Sequence, residues 1–242
     1  MNYRIPCVFV LLAALATSVL ARGLQEKAGV EKDEAEKVKS LQKAAELGKA
    51  DAMTSLGSCY LEGKGVVMDP VEAVKWYRKA AELGNPLAMN SLAGCYAKGF
   101  GVIQNTAEAV KLYQKAAELG NAEAMFHLSL CYFKGTEVEK DVAEALEWLR
   151  KGADLGNAEA MFLLGGCYHE GKGVGKDISE AMKWTRKAAE LGNPLAMYWL
   201  GRCYQDGDGV GKDEAEAVKW YHKATEQGSV EAKTMLKKLG DK

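Results

Sequence analysis

From residue 50 onward, apolar positions fall in short helical stripes separated by glycine-rich breaks. Ala52, Leu56, Cys59 and Tyr60 stand at i, i+4, i+7 and i+8, one face of an α-helix, and Met53 widens that face. A second stripe follows at Ala73, Trp76, Tyr77, Ala80 and Ala81. Between the two, Gly63-Lys64-Gly65-Val66 interrupts the pattern. Its glycines permit the positive φ of a tight return, and Val66 is expected to plug the helix pair. Asp69 and Glu72 precede the second stripe with capping-box spacing, and Pro70 takes the first helical position. Gly84-Asn85 then ends one helix at C′ and caps the next. The spacing predicts helices over Ala52–Leu61 and Pro70–Leu83.

The same pair of stripes recurs. Cys59, Cys95, Cys131, Cys167 and Cys203 are each 36 residues apart, and five repeats align on them without a gap: residues 51–86, 87–122, 123–158, 159–194 and 195–230. The first and fourth share 25 of 36 residues. The segment 22–50 holds a linker and a leading half-repeat, with a helix predicted at Glu34–Leu47, and 231–242 forms a trailing half-repeat. Half-repeats at both ends are what the capping of an open array requires. With no strand alternation, the fold class is all-α, a superhelical solenoid of antiparallel helix pairs.

Composition adds two exclusions. Lys plus Arg is 32 and Asp plus Glu is 33, a net charge of −1, which argues against nucleic acid as a partner. The apolar run Ile5–Ala16 follows Arg4 and precedes Val19 and Ala21, small residues suited to a cleavage site. That is the layout of a secretory signal peptide at 1–21, too short to span a membrane. The mature chain, Arg22–Lys242, is expected to be secreted or periplasmic and not membrane-spanning.

The repeat motif, A-x-x-x-L-G, G-x-G-V, D-x-x-E-A and K-W-Y-x-K-A-A, resembles the Sel1-like repeat, a relative of the tetratricopeptide repeat. The resemblance runs from Glu31 to Lys242. It implies a superhelix whose concave surface holds a protein or peptide, in adaptor or regulatory roles. A cysteine-rich branch of the family, assigned penicillin binding or β-lactamase activity, supplies the alternative of a hydrolase. That branch carries two cysteines per repeat, and this chain has one. A passive envelope component associating with itself is a third class.

Candidate chemistry is sparse. The five repeated cysteines replace a small apolar residue on the inward stripe and are read as buried thiols. Partial bridging, or a redox or metal role, is the alternative. His127, His169 and His222 lie in different columns of different repeats, which is no zinc pattern. Gly171–Asp177 lacks the glycine and the Ser/Thr of a phosphate loop. Asp206–Gly211 lacks the acidic twelfth residue of a calcium loop, where Ala217 stands. Glu72, Glu108, Glu144, Glu180 and Glu216 are explained by their capping place. No catalytic set emerges, no cofactor is implied, and the expectation is a protein without enzymatic activity.

Positions that vary between repeats are the better candidates for binding. The column Ser55, Ser91, His127, Leu163, Trp199 holds Trp, Tyr or Phe only at its last member. Arg202 stands where the other repeats have Ser58, Gly94, Leu130 and Gly166. A partner surface is therefore expected around Trp199 and Arg202, with His127, His169, Leu163 and Tyr198 nearby. Repeat three departs in two places: Glu137 replaces the second loop glycine, and Gly152 the first alanine of the pair. Gly152 is read as drift that loosens the middle, with a local bend or a close backbone contact as the alternative.

Overall fold

The structure, a computed structural model, describes residues 32–240. The signal peptide at 1–21, its cleavage after Ala21 and the start of the 22–50 segment lie outside the described residues. Within them the chain is helical and no strand occurs. Helix α1 occupies residues 32–46. It is followed by α2 (Ala50–Glu62), α3 (Pro70–Glu82), α4 (Pro86–Lys98), α5 (Thr106–Glu118), α6 (Ala122–Lys134) and α7 (Val142–Asp154). Then come α8 (Ala158–Glu170), α9 (Ile178–Glu190), α10 (Pro194–Asp206), α11 (Glu214–Glu226) and α12 (Val230–Lys238). Even-numbered helices from α2 to α10 are the first helices of the five repeats, and the next odd-numbered helix is the second.

The caps explain the sharp boundaries. Asp69, Asn105, Asp141, Asp177 and Asp213 accept the backbone N–H of the glutamate three residues on, each at 3.0 Å. The returning half of the expected capping box is not made. The N-cap amides instead donate to the tyrosine carbonyls of the preceding helix, Asp69 to Tyr60 at 2.8 Å and Asp213 to Tyr204 at 2.8 Å. Freed of that duty, Glu72, Glu180 and Glu216 pair with Lys75, Lys183 and Lys219 one turn on. The first helices end at glycines in the left-handed region, such as Gly171 (φ 73°) and Gly207 (φ 79°).

Two compact bodies result. The first comprises described residues up to Ala88 together with Gly99–Ile103. Its core packs Val38 and Ala45 of α1 with Met53 and Leu56 of α2 and Ala80 of α3. Val66 packs against this core, as the loop pattern suggests. The second body comprises Met89–Lys98 and the chain from Gln104 onward. There Leu149, Leu164, Leu200, Trp220 and Tyr221 belong to one cluster that continues to Leu236 of α12, with Val174 in the plug position.

Repeat three is not loose at Gly152. A methyl group there would lie 3.1 Å from the Ala122 carbonyl oxygen and 3.4 Å from Met125 Cβ, so α7 makes a close backbone contact with α6. The thiols are free, but not all are fully buried: Cys95, Cys167 and Cys203 are, whereas Cys59 and Cys131 are half-buried. Cys59 lies in the first repeat, where only the single helix α1 precedes it among the described residues.

Candidate functional site

The second body contains a cavity of about 220 Å³ walled by three consecutive helices. Phe162, Leu163, Gly166 and His169 come from α8, because positions three and four apart share one helix face. Met182 and Thr185 come from α9, and Trp199 and Cys203 from α10. Trp199 is 38% exposed, a large apolar side chain left at the rim. The guanidinium carbon of Arg202 lies 5.6 Å from the Trp199 ring centre, a cation–π distance, and the guanidinium also reaches Asp206 at 3.6 Å. The His169 ring meets Trp199 edge-on at 5.9 Å. Its Nε2 lies 3.0 Å from Asp208 Oδ2, which ties α8 to the loop after α10.

Four of the residues singled out in the sequence, Trp199, Arg202, His169 and Leu163, therefore meet at one place. The other two have different neighbours. Tyr198 is half-buried and packs 5.9 Å from the Tyr221 ring. His127 stacks 4.8 Å from Tyr113, and its Nε2 is 3.9 Å from Glu123 Oε1. The nearby histidine holds the Glu123 carboxyl below the usual carboxylate range.

Thr185 and Gly166 also line the cavity, and neither is a candidate when first-helix columns alone are compared. For Thr185 the signal lies in the second helices, where the Lys-Trp-Tyr of repeats one and five becomes Lys183-Trp184-Thr185, whereas Gly166 shares its column with Gly94 and gives no signal. Burial first, then the nearby Asp208 carboxylate, pushes the Cys203 thiol up to about 11. It is protonated at neutral pH and no nucleophile. Among the described residues no group of three or more His, Cys, Asp or Glu side chains could hold a metal. None of the described helices is long and apolar enough to cross a membrane. The arrangement can enclose an apolar group and offer it polar contacts at one edge.

The Sel1 repeat family model matches residues 50–85, 86–121, 122–157, 158–193 and 194–229. A Sel1 repeat protein from Oxalobacter formigenes is 32% identical, with a TM-score of 0.75 over 84% of this chain and 88% of that one. A protective antigen of uropathogenic Escherichia coli strains with an SLR fold is 36% identical, with a TM-score of 0.70. The match covers 82% of this chain and 43% of the antigen. An immunity protein from Pseudomonas aeruginosa is 28% identical, with a TM-score of 0.56 over 76% of this chain and 66% of that one. No curated protein is significantly similar. The 36-residue period, the helix pairs and the family match over five consecutive repeats place this chain in the Sel1 repeat family.

Proposed function

We propose that the protein is an exported interaction scaffold that holds a partner protein on the first-helix face of its second body. The observation that carries this reading is the cavity with a half-exposed tryptophan at its rim. Tryptophan and arginine side by side are the usual anchors of a protein interface, because each supplies large contact area with directed polar contacts. The fold supports the reading, since repeat solenoids present extended surfaces for binding. Export rests on Arg4, the apolar run Ile5–Ala16 and the small residues Val19 and Ala21. Terminal sequencing of the exported protein should find Arg22 first, and an intact Met1 would defeat that part.

Crosslinked capture of partners from the native host, with Trp199→Ala beside the natural chain, tests the surface. The substitution should weaken binding by at least ~2 kcal/mol, about thirtyfold, while the helical circular-dichroism spectrum is retained. A folded Trp199→Ala protein that binds normally would move the site elsewhere on the molecule.

A further inference from the structure

The cavity lies where repeats one, two and five keep an aromatic ring of their own. The corresponding second-helix residue is Tyr77, Tyr113, Leu149, Thr185 and Tyr221 in repeats one to five. In repeat one, a methyl group on Gly57 would come within 2.7 Å of the Tyr77 ring. In repeat five, one on Gly201 would come within 2.6 Å of the Tyr221 ring. These rings lie directly against the glycine of the first helix. In repeat four a methyl group on the same glycine, Gly165, would meet no ring but the Thr185 hydroxyl at 2.6 Å and the Ala181 carbonyl oxygen of α9 at 3.0 Å, and all three residues line the cavity. Repeat three has no such opening to explain, since Leu149 is itself fully buried there.

What surrounds the ring in the other repeats is still present in repeat four. Tyr198 packs 5.9 Å from Tyr221, and the residue at its position one repeat earlier is Phe162, on the cavity wall. His127 stacks on Tyr113, and the residue in the same relation to Thr185 is Trp199. The Tyr221 hydroxyl donates to Gln205 Oε1 at 2.7 Å, and at the Gln205 position in repeat four stands His169. A carboxylate only accepts, so the His169 Nε2–H donates to Asp208, and in the tautomer that carries its one hydrogen on Nε2 the Nδ1 atom is an acceptor.

We propose that the cavity is a receptor for a phenol ring, the side chain of a tyrosine presented by the partner. The ring enters where Thr185 leaves one out, and its hydroxyl donates to His169. This rests on the protein-binding reading above. The size agrees: an apolar cavity of about 150 Å³ holds benzene, and this one measures about 220 Å³. A phenylalanine ring would fill the same space but leave the histidine acceptor unused.

The test titrates p-cresol, the tyrosine side-chain analogue, and toluene, the phenylalanine analogue, into the full chain by NMR. p-Cresol should bind with a dissociation constant on the order of 1 mM, and toluene about fivefold more weakly, the worth of one hydrogen bond. Thr185→Tyr supplies the ring from within and should abolish binding of both, with the helical spectrum kept. Should that variant not fold, Gly166→Leu closes the cavity from the α8 side. Nothing lies within 4 Å of a methyl group at Gly166, and Leu130 already holds that position in repeat three. His169→Leu should keep toluene binding and lose the preference for p-cresol. No p-cresol binding at about 10 mM, or equal binding by a folded Thr185→Tyr protein, would overturn the proposal. That failure is separate from failure of the functional reading, which is decided by partner capture with Trp199→Ala.

Discussion

At Cys203 the thiol is 5% exposed, and its acidity ties protonation to folding. An exposed thiol of this kind loses its proton near 9.0, whereas burial and Asp208 hold the folded one to about 11. Between those values the unfolded chain binds fewer protons than the folded one, so stability falls as pH rises from about 9 to about 11. Below 9 both states keep the proton and the thiol adds no pH dependence. Cys203→Ala should flatten this alkaline limb in denaturant titrations taken across pH 8 to 11. An unchanged slope would mean that the thiol is not sheltered as the structure shows. Cys59, Cys95, Cys131 and Cys167 are also shifted upward, chiefly by burial, so native thiols should react slowly with thiol reagents near neutral pH.

Among the elements, the loop that returns each first helix to its second shows one strained variant. Gly65, Gly101, Gly173 and Gly209 have φ between 68° and 72°. A side chain there would strike the preceding second helix or the chain just before it: Glu34 for Gly65, Pro70 for Gly101, Val142 for Gly173 and Ile178 for Gly209. Glu137 adopts the same left-handed conformation, φ 58°, without the glycine that suits it. Left-handed backbone costs a residue with a Cβ about 1 kcal/mol. Glu137→Gly should therefore stabilise the protein by roughly 0.5–1 kcal/mol, part of the gain being offset by a freer unfolded chain. Chemical denaturation measures this, and a destabilised variant would show that the glutamate side chain makes compensating contacts. The second helices share another repeated device: Lys79, Lys151, Lys187 and Lys223 lie 4.1–4.5 Å over the rings of Trp76, Trp148, Trp184 and Trp220. Each lysine ammonium thus sits at cation–π distance from the ring face.

On the scale of the whole molecule, a solenoid is held by contacts between successive elements, so each helix depends on burial against the one before it. The last helix among the described residues, α12, turns Ala232 and Leu236 into the core cluster of the second body. Leu236→Ala should cost about 2–3 kcal/mol, since it removes buried methyl groups from that cluster and leaves a cavity. A melting or denaturant curve checks it. A loss below about 0.5 kcal/mol would show that α12 is not part of the cooperative unit.

The repeat period, the helix pairs and their limits were legible in the sequence, because apolar spacing, N-cap residues and C′ glycines are local and recur five times. Helix α3 runs Pro70–Glu82 where Pro70–Leu83 was expected, and α2 runs Ala50–Glu62 where Ala52–Leu61 was expected. Trp199 and Arg202 were legible as departures from their own columns. Other features depend on residues distant in sequence and so waited for the fold. The capping box lost its returning half because the tyrosine carbonyl of the helix before reaches the N-cap amide first. Gly152 marks a close approach and not drift, which only the position of the Ala122 carbonyl reveals. The missing tyrosine at Thr185 stands in the sequence as a small polar residue where repeats one, two and five have tyrosine and repeat three has Leu149. That its absence leaves a cavity, and that Phe162, Trp199 and His169 surround that cavity, follows from the stacking of α8, α9 and α10. Local patterning decides which residues form helices, whereas a cavity is the space between three of them.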